Sequence, residues 1–198
     1  MPKADFFQRL GLFADEHFLD AALCRELRSA IHAGRRQAAT VAIQEQEFVV
    51  DRDHRRVHWV SLDDAMVSLV HDRVLETRPA IEAHYGVALT GCQRPQFLAY
   101  STGDYYTAHR DHGASSLSKV RQVSAVIFLN EESEAVAPGR YGGGALTFYE
   151  LFDSPTGALP GIPLEANEGL LITFPSRMLH AVTPVTHGER YTIASWYF

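Results

Sequence analysis

The sequence predicts a domain of the α+β class, with helices in its first half and short strands in its second half. Apolar residues recur at helical spacing in two long segments before residue 95. From Pro95 onward, short apolar runs alternate with Gly, Pro, Asn and Asp, which is typical of strands joined by turns. The length of 198 residues is ample for one domain with a substantial core.

The first predicted helix begins near Asp20, because aspartate is a residue type that caps helix N-termini. Leu23, Leu27 and Ile31 then return every four residues and form one apolar face. Gly34 lies where a glycine commonly ends a helix.

A second helix is predicted from about residue 63 to residue 85. Pro79 lies inside this segment and is expected to kink or divide the helix. Its apolar positions at helical spacing include Val67, Val70, Val74 and Ile81.

The segment between the two helices, residues 48–60, has two β-rich ends that flank a charged tip. The tip contains Arg52, Arg55 and Arg56, and the pattern favours a hairpin or finger. A solvated turn and a loop that contacts a substrate remain equally good interpretations of this charge.

The second half contains seven apolar runs, and strands at such close spacing predict a sandwich or barrel. The segments 130–144 and 152–167 interrupt them as long loops. The first of these loops is rich in glycine, and we expect it to be mobile and to border a site. The apolar runs are residues 96–100, 105–110, 122–129, 145–149, 170–174, 181–185 and 191–197.

Composition argues against several classes of function. The net charge of −6 leaves no positive surface for nucleic acid. No apolar run approaches the roughly 20 residues that cross a membrane, and the N-terminal residues lack the pattern of a secretory signal. Cys24 and Cys92 support neither a disulfide framework nor a zinc ribbon. We therefore expect a cytoplasmic protein that binds neither nucleic acid nor membrane.

His109, Asp111 and His180 are candidate metal ligands. Side chains two residues apart on a strand share a face, so His109 and Asp111 can hold one ion from one side. Two imidazoles and a carboxylate form the facial triad of non-haem Fe(II) oxygenases, and the open positions accept O₂ and a bidentate 2-oxo acid. A chain with ten histidines contains an H-x-D by chance about half the time, and a lone histidine is usually structural. The occurrence of His109, Asp111 and His180 together, in strand-like sequence, favours a metal site over these two alternatives.

Arg190 is a candidate for binding a dicarboxylic co-substrate. It follows His180 by ten residues, beyond a probable turn at residues 186–189, which places it on the adjacent strand. Its planar guanidinium matches the geometry of a carboxylate. Considered alone, Arg190 is better interpreted as a surface arginine at the start of a strand. Its spacing from His180 instead favours a role in binding the co-substrate.

Four segments together resemble one enzyme family. Residues 100–111 resemble the Y-x-x-G-x-x-Y-x-x-H-x-D signature of the prolyl 4-hydroxylase group of Fe(II)/2-oxoglutarate dioxygenases. Residues 122–130 are similar to the strand of that group that ends in Leu-Asn, and residues 143–146 resemble its Gly-Gly-x-Leu strand. The final residues, 190–198, are similar to the last strand of the oxygen-sensing prolyl hydroxylases and their bacterial relatives. The resemblance covers about residues 48–198.

The resemblance implies a complete cofactor site. The iron ligands would be His109, Asp111 and His180. Arg190 would bind the 5-carboxylate of 2-oxoglutarate, and Tyr100 would donate a hydrogen bond to this co-substrate. The implied cofactors are Fe(II), 2-oxoglutarate and O₂, with ascorbate as the reductant.

The resemblance also implies a substrate side. Tyr106 and Arg121 are candidate residues there, although an ordinary strand tyrosine or arginine explains them nearly as well. Trp196 would line the pocket near the iron, although a tryptophan of the β-rich core is the commoner explanation. The charged segment before Trp59 lies where members of the family carry a mobile substrate loop.

Two positions distinguish this chain within the family. Collagen-type members have lysine where Arg190 stands, so the chain resembles the oxygen-sensor type. Those sensors have a tyrosine that contacts the 5-carboxylate just before the Leu-Asn pair, whereas this chain has Phe128. One donor to the co-substrate is therefore missing at that position.

The fold implied by the resemblance is a double-stranded β-helix (jelly-roll) barrel with the N-terminal helices packed on its outer face. Residues 1–198 would form a single domain, with a helical prelude to residue 94. The implied activity is hydroxylation of a prolyl residue in a peptide or protein, with release of succinate and CO₂. Two alternatives are a hydroxylase of a free amino acid or small metabolite, and a non-catalytic module that binds metal and 2-oxoglutarate. The oligomeric state is left open.

Overall fold

The computed structural model describes residues 7, 9–44, 47–113, 115–151 and 160–198 and combines helices with antiparallel sheets. The helices are α1 (Ala21–Ala33), α2 (Asp64–Glu76), α3 (Arg78–Tyr85) and α4 (Ser116–Lys119). The strands of the first half are β1 (Phe13–Asp15), β2 (Arg35–Ala38), β3 (Val41–Gln44), β4 (Glu47–Val49), β5 (Arg55–Arg56) and β6 (His58–Ser61). Those of the second half are β7 (Gln96–Tyr100), β8 (Tyr105–His109), β9 (Val123–Phe128), β10 (Gly142–Gly143), β11 (Leu146–Phe148), β12 (Ile162–Leu164), β13 (Leu171–Pro175), β14 (His180–Val182), β15 (Val185–His187) and β16 (Arg190–Tyr197).

Helix α1 begins and ends where the sequence predicts. The Asp20 carboxylate accepts a hydrogen bond from the Leu23 backbone N–H at 2.8 Å, which satisfies a free donor of the first turn. The Gly34 N–H donates to Ile31 O at 3.3 Å at the other end. Leu27 and Ile31 are fully buried, so the apolar face packs into the core as expected.

The second predicted helix is two helices, α2 and α3, which meet at Thr77. Pro79 lies at the start of α3, where its missing N–H leaves no hydrogen bond unmade. Gly86 ends α3 in the left-handed conformation, with φ of 65°. The division expected from Pro79 is confirmed.

Two larger sheets organise the strands. The seven-stranded sheet has the order β1-β13-β9-β16-β7-β6-β2, and the five-stranded sheet has the order β12-β11-β14-β8-β5. The pairs β10–β15 and β3–β4 complete the described strands. Strand β16 is therefore central in the larger sheet, and β8 and β14 are neighbours in the smaller one.

The two faces of the seven-stranded sheet belong to different apolar clusters. Ile127 and Ile193 share a cluster with Leu27, Ile31 and other residues of the helices. The neighbouring residue in the chain, Phe128, points to the opposite face and packs in a cluster with residues of β11, since alternate strand residues face opposite sides. The seven-stranded sheet thus packs against the helices on one face and against the five-stranded sheet on the other.

The first half contains more strand than its helical pattern predicts. The two ends of residues 48–60 do not pair with each other as a hairpin. Strand β4 pairs with β3, and β6 pairs with β2 and β7. Strands β5 and β6 depend on partners far away in the sequence, so their local pattern is weak, whereas β3 and β4 form a local pair that the sequence pattern did not indicate. Strand β12 also lies within the predicted loop 152–167, of which residues 152–159 lie outside the described part of the chain.

The two cysteines are free thiols in the interior. Burial raises the pKa of Cys24 and of Cys92 to about 11, so both stay protonated at neutral pH. Among the described helices, none combines the length and the apolar character needed to cross a membrane.

Candidate metal and co-substrate site

Three candidate ligands meet at the end of the β8–β14 strand pair. The register places His180 opposite His109. Asp111 lies two residues beyond the end of β8, in a bend, so it does not share a strand face with His109 as the sequence suggested. The ligand atoms of the three side chains nevertheless all lie within 4.8 Å of one another. The Asp111 oxygens lie 3.5 Å from His109 Nε2 and 3.6 Å from His180 Nε2.

Both histidines are held by their other ring nitrogen. His109 Nδ1 lies 2.8 Å from Thr107 O, and His180 Nδ1 lies 2.9 Å from Met178 O. Because a carbonyl oxygen can only accept a hydrogen bond, each Nδ1 carries the ring proton and donates the hydrogen bond. Each Nε2 therefore presents a lone pair toward Asp111, which is the tautomer that binds a metal.

The protonation states of the buried ligands also suit a cation. Burial lowers the pKa of His180 to about 4, so this imidazole is neutral at neutral pH. Burial opposes the charge of Asp111, but the Ser124 hydroxyl donates a hydrogen bond to Asp111 Oδ2 at 2.7 Å, which favours the ionised carboxylate. Since metal ligands must be deprotonated, the set binds a metal without first releasing protons from these two groups.

Arg190 is a fully buried cation at the start of β16, with 1% of its surface exposed. It pairs in register with Tyr100 of β7, and its guanidinium carbon lies 4.9 Å from the Tyr100 ring centroid and 5.3 Å from that of Phe128. Nη1 donates to Thr192 Oγ1 at 3.2 Å, and Nε has no hydrogen-bond partner among the described residues. A buried cation with an unused donor is costly unless an anion binds it.

Arg190 does not lie on the strand where the sequence placed it. Strand β16 belongs to the seven-stranded sheet, whereas β14, with His180, belongs to the five-stranded sheet. The strand between them, β15, pairs with β10 instead. Arg190 is therefore not on the strand adjacent to His180.

The Tyr106 ring covers the His109 imidazole. The two rings stack with centroids 3.5 Å apart and an angle of 16° between their planes. The guanidinium carbon of Arg55 lies 4.8 Å from the centroid of the Tyr106 ring. A residue of the charged segment is thus brought close to a candidate metal ligand.

Arg121 and Trp196 form a second stacked pair near the ligands. The Arg121 guanidinium carbon lies 3.7 Å from the centroid of the Trp196 ring. Arg121 Nε donates to Gln93 Oε1 at 3.0 Å, and Nη1 donates to the backbone oxygen of Asp111 at 3.4 Å. Tyr106, Arg121 and Trp196 therefore all lie beside the candidate metal ligands.

A cleft of about 1110 Å³ opens beside His109 and Asp111. Two of the arginines in its wall already have carboxylate partners, since Arg94 pairs with Asp64 and Arg110 pairs with Glu150. The side chains that line the cleft nearest the ligands include Arg55, Tyr106, Arg121 and Trp196.

Comparison with known proteins identifies the family. The model of the 2OG-Fe(II) oxygenase superfamily matches residues 95–198, just over half of the chain. The chain belongs to this superfamily. The matched segment contains the three candidate ligands and Arg190.

Curated and solved relatives agree with this assignment. A PKHD-type hydroxylase of Cupriavidus metallidurans is 32% identical to this chain over 108 residues. These residues are 52% of this chain and 42% of that protein. A Pseudomonas putida prolyl-4-hydroxylase superposes with a TM-score of 0.66 at 23% identity, over 98% of this chain and 95% of that one. The chain thus spans about two fifths of the length of the curated relative.

A further solved structure has a bound peptide. It is a prolyl hydroxylase from Trichoplax adhaerens in complex with a peptide fragment of the hypoxia inducible factor oxygen degradation domain. Its TM-score is 0.66 at 17% identity, over 98% of this chain and 86% of that one. The resemblance to prolyl hydroxylases and their bacterial relatives is confirmed, and these structural likenesses show a shared fold.

Asn130 fixes the position of Arg190 in the oxygenase, a role that sequence reasoning missed. Asn130 Nδ2 donates to Glu189 O at 2.8 Å, and Asn130 Oδ1 accepts from Tyr191 N at 3.0 Å. The buried amide therefore holds the backbone on both sides of Arg190. The Leu-Asn pattern was visible in the sequence, but the two partners that flank Arg190 lie 59 and 61 residues further along the chain.

Tyr141 is the second residue that sequence reasoning missed. It lies in segment 130–144, which the sequence predicts as a loop, yet it is fully buried. Its hydroxyl has no hydrogen-bond partner among the described residues. The only local signal was an aromatic residue directly before three glycines.

Ser124 supports the Asp111 ligand, and its removal should weaken metal binding. Its hydroxyl donates to Asp111 Oδ2 at 2.7 Å. Because hydrogen bonds of this kind orient a ligand, we expect Ser124→Ala to lower the affinity for Mn(II) by about 10- to 100-fold in a calorimetric titration. The matched control is Ser195→Ala, which removes another buried hydroxyl of the same sheet, bonded to Gln93 O at 2.7 Å. Equal Mn(II) affinity in the two variants would contradict the supporting role.

Proposed function

We propose that this oxygenase is an Fe(II)- and 2-oxoglutarate-dependent dioxygenase that hydroxylates its substrate and releases succinate and CO₂. The observation that carries the proposal is the convergence of His109, Asp111 and His180, with both imidazoles anchored through Nδ1. Three ligands on one side of a metal leave the other side free for a co-substrate and O₂.

The donor set fits Fe(II), because two neutral imidazoles and one carboxylate suit this ion and reduce its net charge. When bound, Fe(II) and 2-oxoglutarate would supply the oxidising chemistry. The protein's own residues hold the ligand tautomers, orient Asp111 through Ser124, and cover His109 with the Tyr106 ring. This cover limits the access of water on one side of the site.

The buried donors fit 2-oxoglutarate as co-substrate. We assign the 5-carboxylate to Arg190, whose Nε lacks a partner among the described residues. A charge-assisted hydrogen bond counts for more in such a dry interior than in water. Tyr100 lies in register opposite Arg190 and is the proposed additional donor to the co-substrate.

The proposed architecture is a double-stranded β-helix barrel that forms a single domain. Two apolar clusters join the seven-stranded sheet to the five-stranded sheet on one face. A third cluster joins it to the helices on the other face. These clusters support the proposed barrel. The metal ligands would then lie inside the barrel, with helices α1 to α3 on its outer face. The two free thiols fit the cytoplasm as the proposed location.

The proposed substrate is a prolyl residue in a peptide or protein. The cleft of about 1110 Å³ is large enough for a segment of chain, and Arg55 places the charged segment 48–60 in its wall. The Trichoplax adhaerens relative is a prolyl hydroxylase that was solved with a peptide. Tyr106, Arg121 and Trp196 would contact the substrate beside the iron.

One observation favours the alternative, a free amino acid or small metabolite. Arg55 donates to Thr40 O at 3.0 Å and Arg121 to Gln93 Oε1 at 3.0 Å, but within the described residues neither forms an ion pair with a carboxylate. Two such cations beside the ligands would suit the carboxylate of a small acid. The two substrate classes can be separated because a capped peptide lacks that free carboxylate.

The test measures succinate formed from 2-oxoglutarate by the iron-loaded protein, with a capped prolyl peptide and with free proline. We expect substrate-stimulated succinate, with the peptide as the better stimulant. Arg55→Ala should lower this stimulated rate about tenfold and leave the slow substrate-independent decay of 2-oxoglutarate, because a charged donor to the substrate is lost. Arg52→Ala, in the exposed tip, is the matched control and should behave as wild type.

Two other outcomes have clear meanings. Stimulation by free proline alone would establish the small-metabolite alternative. A thermal shift that needs both metal and 2-oxoglutarate, without succinate under any condition, would contradict the dioxygenase and favour a non-catalytic binding module.

A further inference from the structure

The hydroxyl of Tyr141 is a polar group without a partner in the interior. The Tyr141 side chain is 0% exposed and packs with Phe128, Leu146 and Phe148 in an apolar cluster. Its oxygen makes no hydrogen bond of normal geometry to the described residues, although the Arg190 guanidinium lies near it. Leaving a buried hydroxyl unsatisfied costs free energy, and phenylalanine would fill the same space without that cost.

Tyr141 and Arg190 lie side by side above Gly144. A Cβ atom added to Gly144 would lie 3.0 Å from Arg190 Cδ and 3.5 Å from Tyr141 Cε2. Gly144 has a positive φ of 63°, so the backbone passes close to both side chains without a side chain of its own. The two unsatisfied groups, Arg190 Nε and the Tyr141 hydroxyl, therefore belong to one buried neighbourhood.

The backbone holds Tyr141 in this position. Tyr141 N donates to Glu131 O at 3.3 Å, and Ser133 N donates to Tyr141 O at 2.7 Å. A Cβ atom on Gly188, in the turn before Arg190, would lie 3.1 Å from the Tyr141 Cα. The turn that carries Arg190 is thus packed directly against the residue that carries the free hydroxyl.

The electrostatics of this neighbourhood favour an anion. Burial raises the pKa of Tyr141, and the Arg190 charge acts in the opposite direction. Burial also raises the pKa of Glu132, although the Arg190 charge again opposes the rise. No carboxylate forms an ion pair with Arg190 in the part of the chain that the structure describes, so its charge is available to a ligand.

Phe128 offers no donor to such an anion, although its ring lies 5.3 Å from the Arg190 guanidinium carbon. We infer that the Tyr141 hydroxyl donates a hydrogen bond to the 5-carboxylate of 2-oxoglutarate, beside Arg190. This inference rests on the proposed function and deepens it, because it assigns a specificity-determining residue for the co-substrate. Tyr141 would distinguish a five-carbon diacid from shorter 2-oxo acids.

The test compares two probes in the Mn(II)-loaded, full-length protein without oxygen. One probe is 2-oxoglutarate, and the other is 2-oxobutanoate, which keeps the 1-carboxylate and keto group but lacks the distal carboxylate. We expect Tyr141→Phe to raise the Kd for 2-oxoglutarate about tenfold or more and to leave the Kd for 2-oxobutanoate unchanged, since only one charged hydrogen bond is lost.

Stability in the absence of 2-oxoglutarate is the second readout. Tyr141→Phe should keep or raise the Tm, because the hydroxyl has no partner in the described protein. Tyr197→Phe is the matched control: its hydroxyl lies 2.6 Å from Thr77 Oγ1 and donates to Val74 O at 2.7 Å. That variant should lower the Tm and leave the affinity for 2-oxoglutarate unchanged.

The outcomes separate this inference from the proposed function. Unchanged affinity for 2-oxoglutarate in Tyr141→Phe, or an equal loss for both probes, would overturn the inference alone. Failure of the wild-type protein to bind 2-oxoglutarate in the presence of Mn(II) would overturn the proposed function, and the inference with it.

Discussion

Asp111→Ala should abolish iron-dependent turnover of 2-oxoglutarate and weaken Fe(II) binding by at least about 100-fold. Loss of a group that merely orients a ligand already costs about 10- to 100-fold in metal affinity, and Asp111 is itself the only candidate carboxylate ligand of the described cluster. Two measurements check this: an anaerobic Fe(II) titration and the rate of succinate formation.

The control for this variant is Asp72→Ala, which removes a carboxylate that is 72% exposed on α2. It should bind iron and turn over 2-oxoglutarate as wild type does. His109→Ala should match Asp111→Ala, because it removes another of the three candidate ligands. Normal succinate formation in either ligand variant would end the dioxygenase interpretation.

Arg190→Met should raise the Kd for 2-oxoglutarate by about 30-fold or more. Removing one partner of a buried, hydrogen-bonded charge pair costs about 2–5 kcal/mol, and methionine keeps much of the apolar packing. The affinity for 2-oxobutanoate should change little, because that acid has no distal carboxylate. Calorimetry with the Mn(II)-loaded protein measures both constants.

Stability distinguishes this role of Arg190 from a structural one. Its guanidinium has one hydrogen bond, to Thr192, and an unpartnered Nε within the described residues. Replacing a poorly paired buried charge by an apolar residue is often neutral or stabilising, so the Tm without ligand should not fall. A lower Tm with unchanged affinity for 2-oxoglutarate would instead assign Arg190 to the fold.

The candidate metal site was the most predictable part of this molecule, although the shared strand face from which it was predicted is not what brings the ligands together. His109 and Asp111 are close in sequence, and residue chemistry alone suggested a shared ion. Their convergence does not come from a shared strand face, because the chain bends after β8. His180 joins them through the register of β8 and β14, a long-range pairing that local sequence does not encode.

Helices were also easier to predict than strands. The boundaries of α1 follow from the Asp20 cap and Gly34, and Pro79 explains the break between α2 and α3, since these signals act locally. The strands at the two ends of residues 48–60 pair with other segments, β4 with its neighbour β3 and β6 with β2 and β7, so the hairpin expected of this segment was wrong. The prediction that Arg190 lies on the strand adjacent to His180 was wrong because the pairing of β15 and β16 is also set by strands further away in the sequence.

Residues that act through burial could not be found from the sequence. Asn130 and Tyr141 are ordinary polar and aromatic residues until the fold surrounds them. Their importance comes from what their polar atoms can reach: Asn130 binds the backbone on both sides of Arg190, and the Tyr141 hydroxyl lacks a partner in the described chain. Only three-dimensional packing reveals such a balance of donors and acceptors.

A crystal structure of the protein with Mn(II) and 2-oxoglutarate, grown without oxygen, tests the central claim most directly. We expect one metal ion bound directly by His109 Nε2, His180 Nε2 and an Asp111 oxygen. The distal carboxylate of 2-oxoglutarate should contact Arg190. A metal ion bound elsewhere, or a diacid that leaves Arg190 without a carboxylate, would contradict the account.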